Sequence, residues 1–304
     1  MNMTTLIASV ELGLIYTLMT LGLFISYRIL DIADLTVDGS FTLGAAVCAV
    51  LTLAGHPFLG FAAAIGAGLV AGTTTAVLQT KLKVQPILAG ILTMTALYSI
   101  NLMIMGGKSN IALLRIETIF TKSEALTGPK YNALIIGLVV VTIVCVLLGL
   151  FLYTTLGLSI RATGDNEDMV RASSINVDFT KTIGLALANA LVAASGALLA
   201  QHQGFADAGS GTGMVVIGLA SLIIGEIIVD LFFKKRSIPV NILAAVIGSI
   251  IYRTVIALAL AHNFSASSMK LVTAIIVTLV ISFPTSKDGI KLICKRVKYG
   301  TDTK

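Results

Sequence analysis

The chain has 304 residues, of which 56% are hydrophobic and only 12% charged, about half the charged share of an average soluble domain. That balance excludes a water-soluble globular fold. The formal charge of +6 does not mark a nucleic-acid binder, because no aromatic-basic patch or nucleic-acid motif accompanies it and basic residues in a membrane protein gather on its cytoplasmic side. No Asp, Glu, Lys or Arg occurs from Gly39 to Thr80, Val84 to Gly107, Tyr131 to Ile160 or Thr182 to Ala206. A hydrocarbon core of about 30 Å takes roughly 20 helical residues to cross, and helices keep every backbone group paired in such runs. The fold class is therefore all-α, a polytopic transmembrane bundle.

In chain order the predicted spans are Thr5 to Ser26, Ser40 to Ala54, Phe58 to Thr80, Val84 to Met105, Ala133 to Tyr153, Thr182 to Gln201, Met214 to Phe232, Ile238 to Leu260 and Lys270 to Phe283, about nine crossings within a range of 8–10. The first run has no basic region before it and no small-residue cleavage site before Arg28, and reads as a retained span. The second is short and the seventh follows Gly209, Gly211 and Gly213, so either suits a broken or re-entrant helix. Gly39 to Gly44 and Gly213 to Gly218 share a spacing and would run in opposite directions, as inverted repeats do. Cys48 and Cys145 sit in apolar runs and Cys294 in a Lys-rich tail, which implies no disulfide framework. His56, His202 and His262 fall near outer span ends without metal-ligand or nucleophile-base spacing, which argues against an intramembrane enzyme and against a metal site.

Arg28, Lys81, Lys83, Arg161, Arg171, Lys181, Lys234, Lys235, Arg236 and the six basic residues of the tail at 287–304 share one side, fifteen in all. Lys108, Arg115, Lys122, Lys130 and Lys270 share the other, and Arg253 lies within a span. The positive-inside rule makes the first side cytoplasmic, with the amino terminus outside and the carboxyl terminus inside. One domain, 1–304, is expected, with an outer connection from Gly106 to Lys130 and an inner one at 154–181. The outer connection reads as a surface loop, as a cover for a pore mouth, or as a segment that meets an external partner.

The inner connection carries the sharpest local signal. Asp165 or Asn166 suits the cap of a short helix starting just after Gly164, and Glu167 and Asp168 complement its positive end. Met169, Val170, Ala172 and Ser173 supply a small apolar face and Arg171 with the acidic residues a charged rim, fit either for docking into a partner's groove or for a solvated loop with an incidental cap.

The run from Gly157 to Val177 resembles the coupling segment of the branched-chain amino acid and ribose type permeases of ABC importers, which share a transmembrane fold with the cobalamin permeases. The resemblance extends over nearly the whole chain. It is carried by Gly13 to Gly22 with Tyr27-Arg28, by Asp38-Gly39-Ser40-Phe41 with Gly44-Ala45, by Gln85-Pro86 through Thr93, by Ser195-Gly-Ala197, and by Ile217 to Gly225 with Val246-Ile-Gly248. Asp34-Leu-Thr-Val-Asp-Gly-Ser-Phe-Thr-Leu-Gly44 looks most like a sub-group labelled as tryptophan or tyrosine permeases. One departure is Ser174, where the family more often has Gly before Ile175-Asn176, so a looser turn is expected there.

The resemblance implies a permease subunit with no ATP site and no cofactor of its own. A partner ATPase would supply ATP and Mg, an extracytoplasmic lipoprotein the solute, and a second permease copy the other wall of the path. It implies that Arg161, Gly164, Asp165, Asn166, Glu167, Met169, Val170, Arg171, Ile175 and Asn176 form the ATPase-coupling segment. The absence of a Gly-x-x-x-x-Gly-Lys-Ser/Thr loop agrees. For the translocation path we select Asp38, Gly39, Ser40 and Phe41 of the second span, Thr93 and Tyr98 of the fourth, and Gly213 to Gly218 of the seventh, where small residues let helices approach or a polar solute pass. The solute expected is an amino acid, aromatic or branched-chain. The rival reading is an ion-coupled secondary transporter using Asp34, Asp38 and Glu226. Asp34 and Asp38 are also placed to cap the second helix, Glu226 and Asp230 to pair with Lys234 and its neighbours, and Arg253 to neutralise a buried carboxylate, while Glu11 sits close to the outer surface.

Overall fold

The computed structural model describes residues 3–128, 131–233 and 237–261, together with 271, 274, 275 and 278. Among them are eight helices long and apolar enough to cross a membrane: α1 (Met3–Leu23), prolonged by a π-helical turn Phe24–Ile29, α2 (Thr36–Leu53), α3 (Pro57–Thr80), α4 (Pro86–Ile104), α6 (Asn132–Tyr153), α9 (Val177–Gln203), α10 (Met214–Phe232) and α11 (Ile238–Ala261). The predicted ninth span, Lys270 to Phe283, lies almost wholly outside the described residues, as do the tail at 287–304 and Lys234 to Arg236.

Pro57 and Pro86 open α3 and α4 at the first helical position, where a missing N–H costs nothing. Several hydroxyls inside the spans bond back one turn, as Thr17 does to the Gly13 carbonyl and Thr75 to that of Ala71, so these add no unpaired group to the apolar interior. Asn176 caps α9 by accepting the N–H of Phe179, and Gly204, left-handed at φ 75°, ends it.

The second span differs from expectation. It begins at Thr36 and runs 18 residues, long enough to need no break. The expected discontinuity is before α10. After α9 the chain pairs β2 (Phe205–Asp207) antiparallel with β1 (Asn110–Ala112), Ile111 facing Ala206, and then descends beside α2 without helical structure until Met214. Gly211 passes so close that a Cβ there would lie 1.9 Å from the Asp38 carbonyl oxygen. α2 and α10 thus both start beside Asp38. The outer connection also holds a helix the sequence did not announce, α5 (Ile119–Thr127), opened by a reciprocal Thr118–Thr121 capping box.

α9 is the axis. Its apolar window is 78% buried within the chain, against 17% for α6 on the rim. Lipid tails give helices no hydrophobic reason to associate, so close packing has to hold the bundle. Small residues provide it: a Cβ on Gly44 would lie 2.0 Å from the Ala193 carbonyl oxygen and one on Gly72 2.3 Å from that of Leu185, which brings α2 and α3 backbone-close to α9. Larger side chains fill the space between, with Leu18, Met19, Phe41, Val192 and Leu198 in one cluster and Phe24, Leu148, Leu152, Leu222 and Ile242 in another.

Candidate translocation cleft and coupling segment

Three of the selected path residues, Asp38, Gly39 and Tyr98, line one cleft of about 280 Å³ between α2, α4 and the 208–213 segment. Thr42, Met94, Thr95, Asn101, Ala208 and Thr212 complete it. The sequence reading passed over these six, because a lone Thr or Asn in an apolar run looks like any helix-satisfied polar residue. Asp38 does not cap its own helix. Its carboxylate accepts the N–H of Gly213 at 2.8 Å and of Val215 at 2.9 Å, closing the start of α10, where the helix dipole favours negative charge. Gly213 is left-handed at φ 86°, a conformation that glycine adopts freely. Thr42 adds a further tie, accepting the N–H of Gly211 at 3.0 Å.

The other path candidates serve packing in this conformation. Ser40 is buried and donates to Asn189 Oδ1 at 2.7 Å, while Asn189 Nδ2 donates to Asp34 Oδ2 at 2.7 Å. Asp34 Oδ1 in turn accepts the Thr36 N–H at 2.9 Å, taking up the first N–H of α2 from the turn before its N-cap residue Leu35. Phe41 is fully buried and stacks on Tyr16, ring centroids 6.0 Å apart. Thr93 is buried, bonds back to the Ala89 carbonyl and lines an apolar groove with Leu43, Ala71 and Leu97. Gly218 lets α10 approach α1, since a Cβ would lie 2.2 Å from a Leu23 methyl.

Glu226 pairs with Arg28 at 3.0 Å; the partners expected for it and for Asp230, Lys234 and its neighbours, lie outside the described residues. Arg253 sits over the Tyr16 ring, 3.9 Å from its centroid, a cation–π contact in place of the expected carboxylate.

The inner connection folds as two helices where one was expected. α7 (Thr155–Asp165) is capped by Thr154, which accepts the Gly157 N–H. α8 (Glu167–Ala172) is capped by Asn166, whose Oδ1 accepts the Met169 N–H at 3.0 Å. α7 rides on the end of the first span at Gly164, where a Cβ would lie 1.8 Å from the Ile29 carbonyl oxygen. Arg161 and Asp165 share a cavity of about 230 Å³ with Arg28, Ser237 and Asn241. α8 is clamped to α9 through Glu167, which pairs with Lys181 and stands 3.9 Å from Arg171. Val170 is buried while Met169 is 69% exposed, so the helix is anchored on one side and free on the other. Arg171, Ile175 and Asn176 line a recess of about 340 Å³ where α8 turns into α9. The turn is not loosened by Ser174: it takes the left-handed φ of 61° itself, and the Ile175 N–H still reaches the Val170 carbonyl at 3.3 Å.

Residues 5–282 match the family described as branched-chain amino acid transport system / permease component. The tyrosine transport system permease protein of Clostridioides difficile is 39% identical over 276 residues, 90% of each chain. The uncharacterized protein RP368 of Rickettsia prowazekii is 33% identical over 280 residues, 92% of this chain and 98% of its own. The autoinducer 2 import system permease protein LsrC of Escherichia coli is 28% identical over 161 residues, 53% of this chain and 45% of its own. No solved structure matches the chain. Eight apolar spans and a match of this extent make the chain a multi-pass membrane protein and a member of the branched-chain amino acid transport system permease family, a transport subunit and not an enzyme.

Proposed function

We propose that the chain is the membrane-spanning subunit of an ATP-driven importer in a bacterial cytoplasmic membrane, passing an amino acid, aromatic or branched-chain, into the cell by alternating access. The observation that carries this reading is α8, a capped helix anchored by Val170 and Lys181 with Met169 outward. It stands on the face where Arg28, Lys81, Lys83, Arg161, Arg171 and Lys181 gather, with Lys108, Arg115 and Lys122 on the opposite one. That grouping supports a cytoplasmic α7–α8 face, an amino terminus outside and a carboxyl terminus inside.

In this reading a separate ATPase, holding ATP and Mg, grips α8, and closure of the ATPase moves α7 against the first span at Gly164. An external binding lipoprotein delivers the solute, and a second copy of the chain supplies the facing wall of the path. Tyr98 and Ser99 favour that arrangement, because they are exposed in α4 at a depth where lipid would leave them poorly solvated. The tyrosine label of the Clostridioides difficile relative supports an aromatic amino acid.

Co-purification of the tagged chain from its native membrane tests the reading. An ATPase recovered with the native chain, and lost when Met169 and Arg171 are both changed to Asp, is the expected result. Recovery of no ATPase under mild detergent would overturn it and turn attention to Asp34, Asp38 and Glu226 as ion-coupling groups.

A further inference from the structure

We propose that the cleft between α2 and α4 is a recognition station for the primary ammonium group of the solute, held by Asp38 and Asn101, with the solute's apolar part against Met94 and Ala208. The proposal rests on the permease reading above and adds to it a chemical class of ligand and a site.

Three observations lead there. Asn101 is 1% exposed, its Nδ2 donates to the Gly39 carbonyl at 3.2 Å, and its Oδ1 has no hydrogen-bond partner among the described residues. A buried acceptor left empty costs about 1–3 kcal/mol, a cost that an arriving donor removes. Among the described residues Asp38 is the only charged one lining the cleft. Its oxygens accept the N–H groups of Gly213 and Val215, with the Met214 N–H also turned toward them, and a carboxylate has about four lone-pair sites, so acceptor capacity remains.

The same geometry argues against a carboxylate ligand. The start of α10 is the cleft's natural anion site, and Asp38 already fills it. What remains is acceptor-rich, carries one negative charge and no basic side chain, and is otherwise apolar. An ammonium brings three donors and a positive charge. A volume of about 280 Å³ leaves room for a side chain behind it.

The test is protection from alkylation at position 95, in membrane vesicles carrying the full chain with Thr95→Cys, read by peptide mass spectrometry. Tyramine is the probe and N-acetyltyramine its uncharged counterpart. Tyramine at about ten times its half-protecting concentration is expected to slow labelling about tenfold, while N-acetyltyramine at the same concentration leaves the rate unchanged. Adding Asn101→Leu is expected to abolish the protection. Adding Asn101→Asp, which supplies a second carboxylate and keeps the shape, is expected to strengthen it, so the test survives if the Leu variant fails to fold. Equal protection by N-acetyltyramine, protection indifferent to both Asn101 variants, or protection by sodium chloride over choline chloride without any amine would overturn the proposal. Failure here with an ATPase still co-purifying leaves the importer reading standing, and protection without an ATPase does the reverse.

Discussion

The Asp38 carboxylate, in the first turn of α2, accepts the backbone N–H of Gly213 across 175 residues of sequence at 2.8 Å. α2 and α10 are therefore tied to each other at their starting points. Because Val215 donates to the same carboxylate, Asp38→Ala strips two N–H groups of their acceptor at once. Loss of a helix cap costs about 0.5–2 kcal/mol. We expect a lower thermal midpoint for the detergent-solubilised Ala variant and a drop of at least half that size for Asp38→Asn, which keeps one acceptor oxygen but turns an NH2 donor toward the other N–H. An unchanged midpoint in Asp38→Ala would remove this contact from the list of what holds α10.

How far the sequence carried this site can be judged from its parts. Spans were legible wherever about twenty apolar residues ran without charge, because lipid leaves the backbone no choice but helix. The α8 cap was legible too, since Asn166 followed by Glu167 and Asp168 is a local signal read within one turn. Asp38 and Gly213 were each singled out, yet the bond between them was not, and neither was Ser40 to Asn189 across 149 residues. Pairings of that range depend on which helix faces lie against α9, and glycine spacing sets these faces only once the partners are known. α7 was missed for a different reason: its amphipathic run from Thr155 to Asp165 lacks the length and apolarity that marked the spans.

Ser174 provides a test of strain. Its φ of 61° is left-handed, which costs an L-residue about 1–2 kcal/mol, and a glycine there would carry no such cost. Part of the gain is offset because glycine loses more freedom on folding. Ser174→Gly should raise the stability of the solubilised chain by about 0.5–1 kcal/mol, seen as a higher thermal midpoint. A lower midpoint would mean that the Ser174 side chain contributes more than its backbone costs.

Asn189 joins two groups that have few alternatives, donating to the Asp34 carboxylate and accepting from the Ser40 hydroxyl. Asp34, Ser40 and Asn189 are all buried. Asn189→Ala should destabilise by about 1.5–3 kcal/mol, the range for a hydrogen bond to a charged group. Ser40→Ala alone should cost about 1 kcal/mol. In the double variant the costs should fall short of their sum, because the Ser40 partner has already gone. Strict additivity in denaturant or thermal titrations would show that the three residues do not act as one network.

Met169 and Val170 are neighbours with opposite environments, 69% and 4% exposed, and they separate docking from folding. Val170→Asp buries a carboxylate without a cationic partner under α8, and an unpaired buried charge costs several kcal/mol, so expression or thermal stability should fall. Met169→Asp changes only an outward apolar contact, and the thermal midpoint of the isolated chain should move by less than about 0.5 kcal/mol in stability. If α8 docks in a groove of a partner ATPase, that same variant should lose most of the co-purifying ATPase, since a desolvated apolar anchor at an interface is worth about 2 kcal/mol or more. A Met169→Leu control, apolar and of similar volume, should keep the ATPase. Retention by Met169→Asp at wild-type level would place the ATPase contact elsewhere on this face, with the recess at Arg171 and Asn176 as the next surface to change.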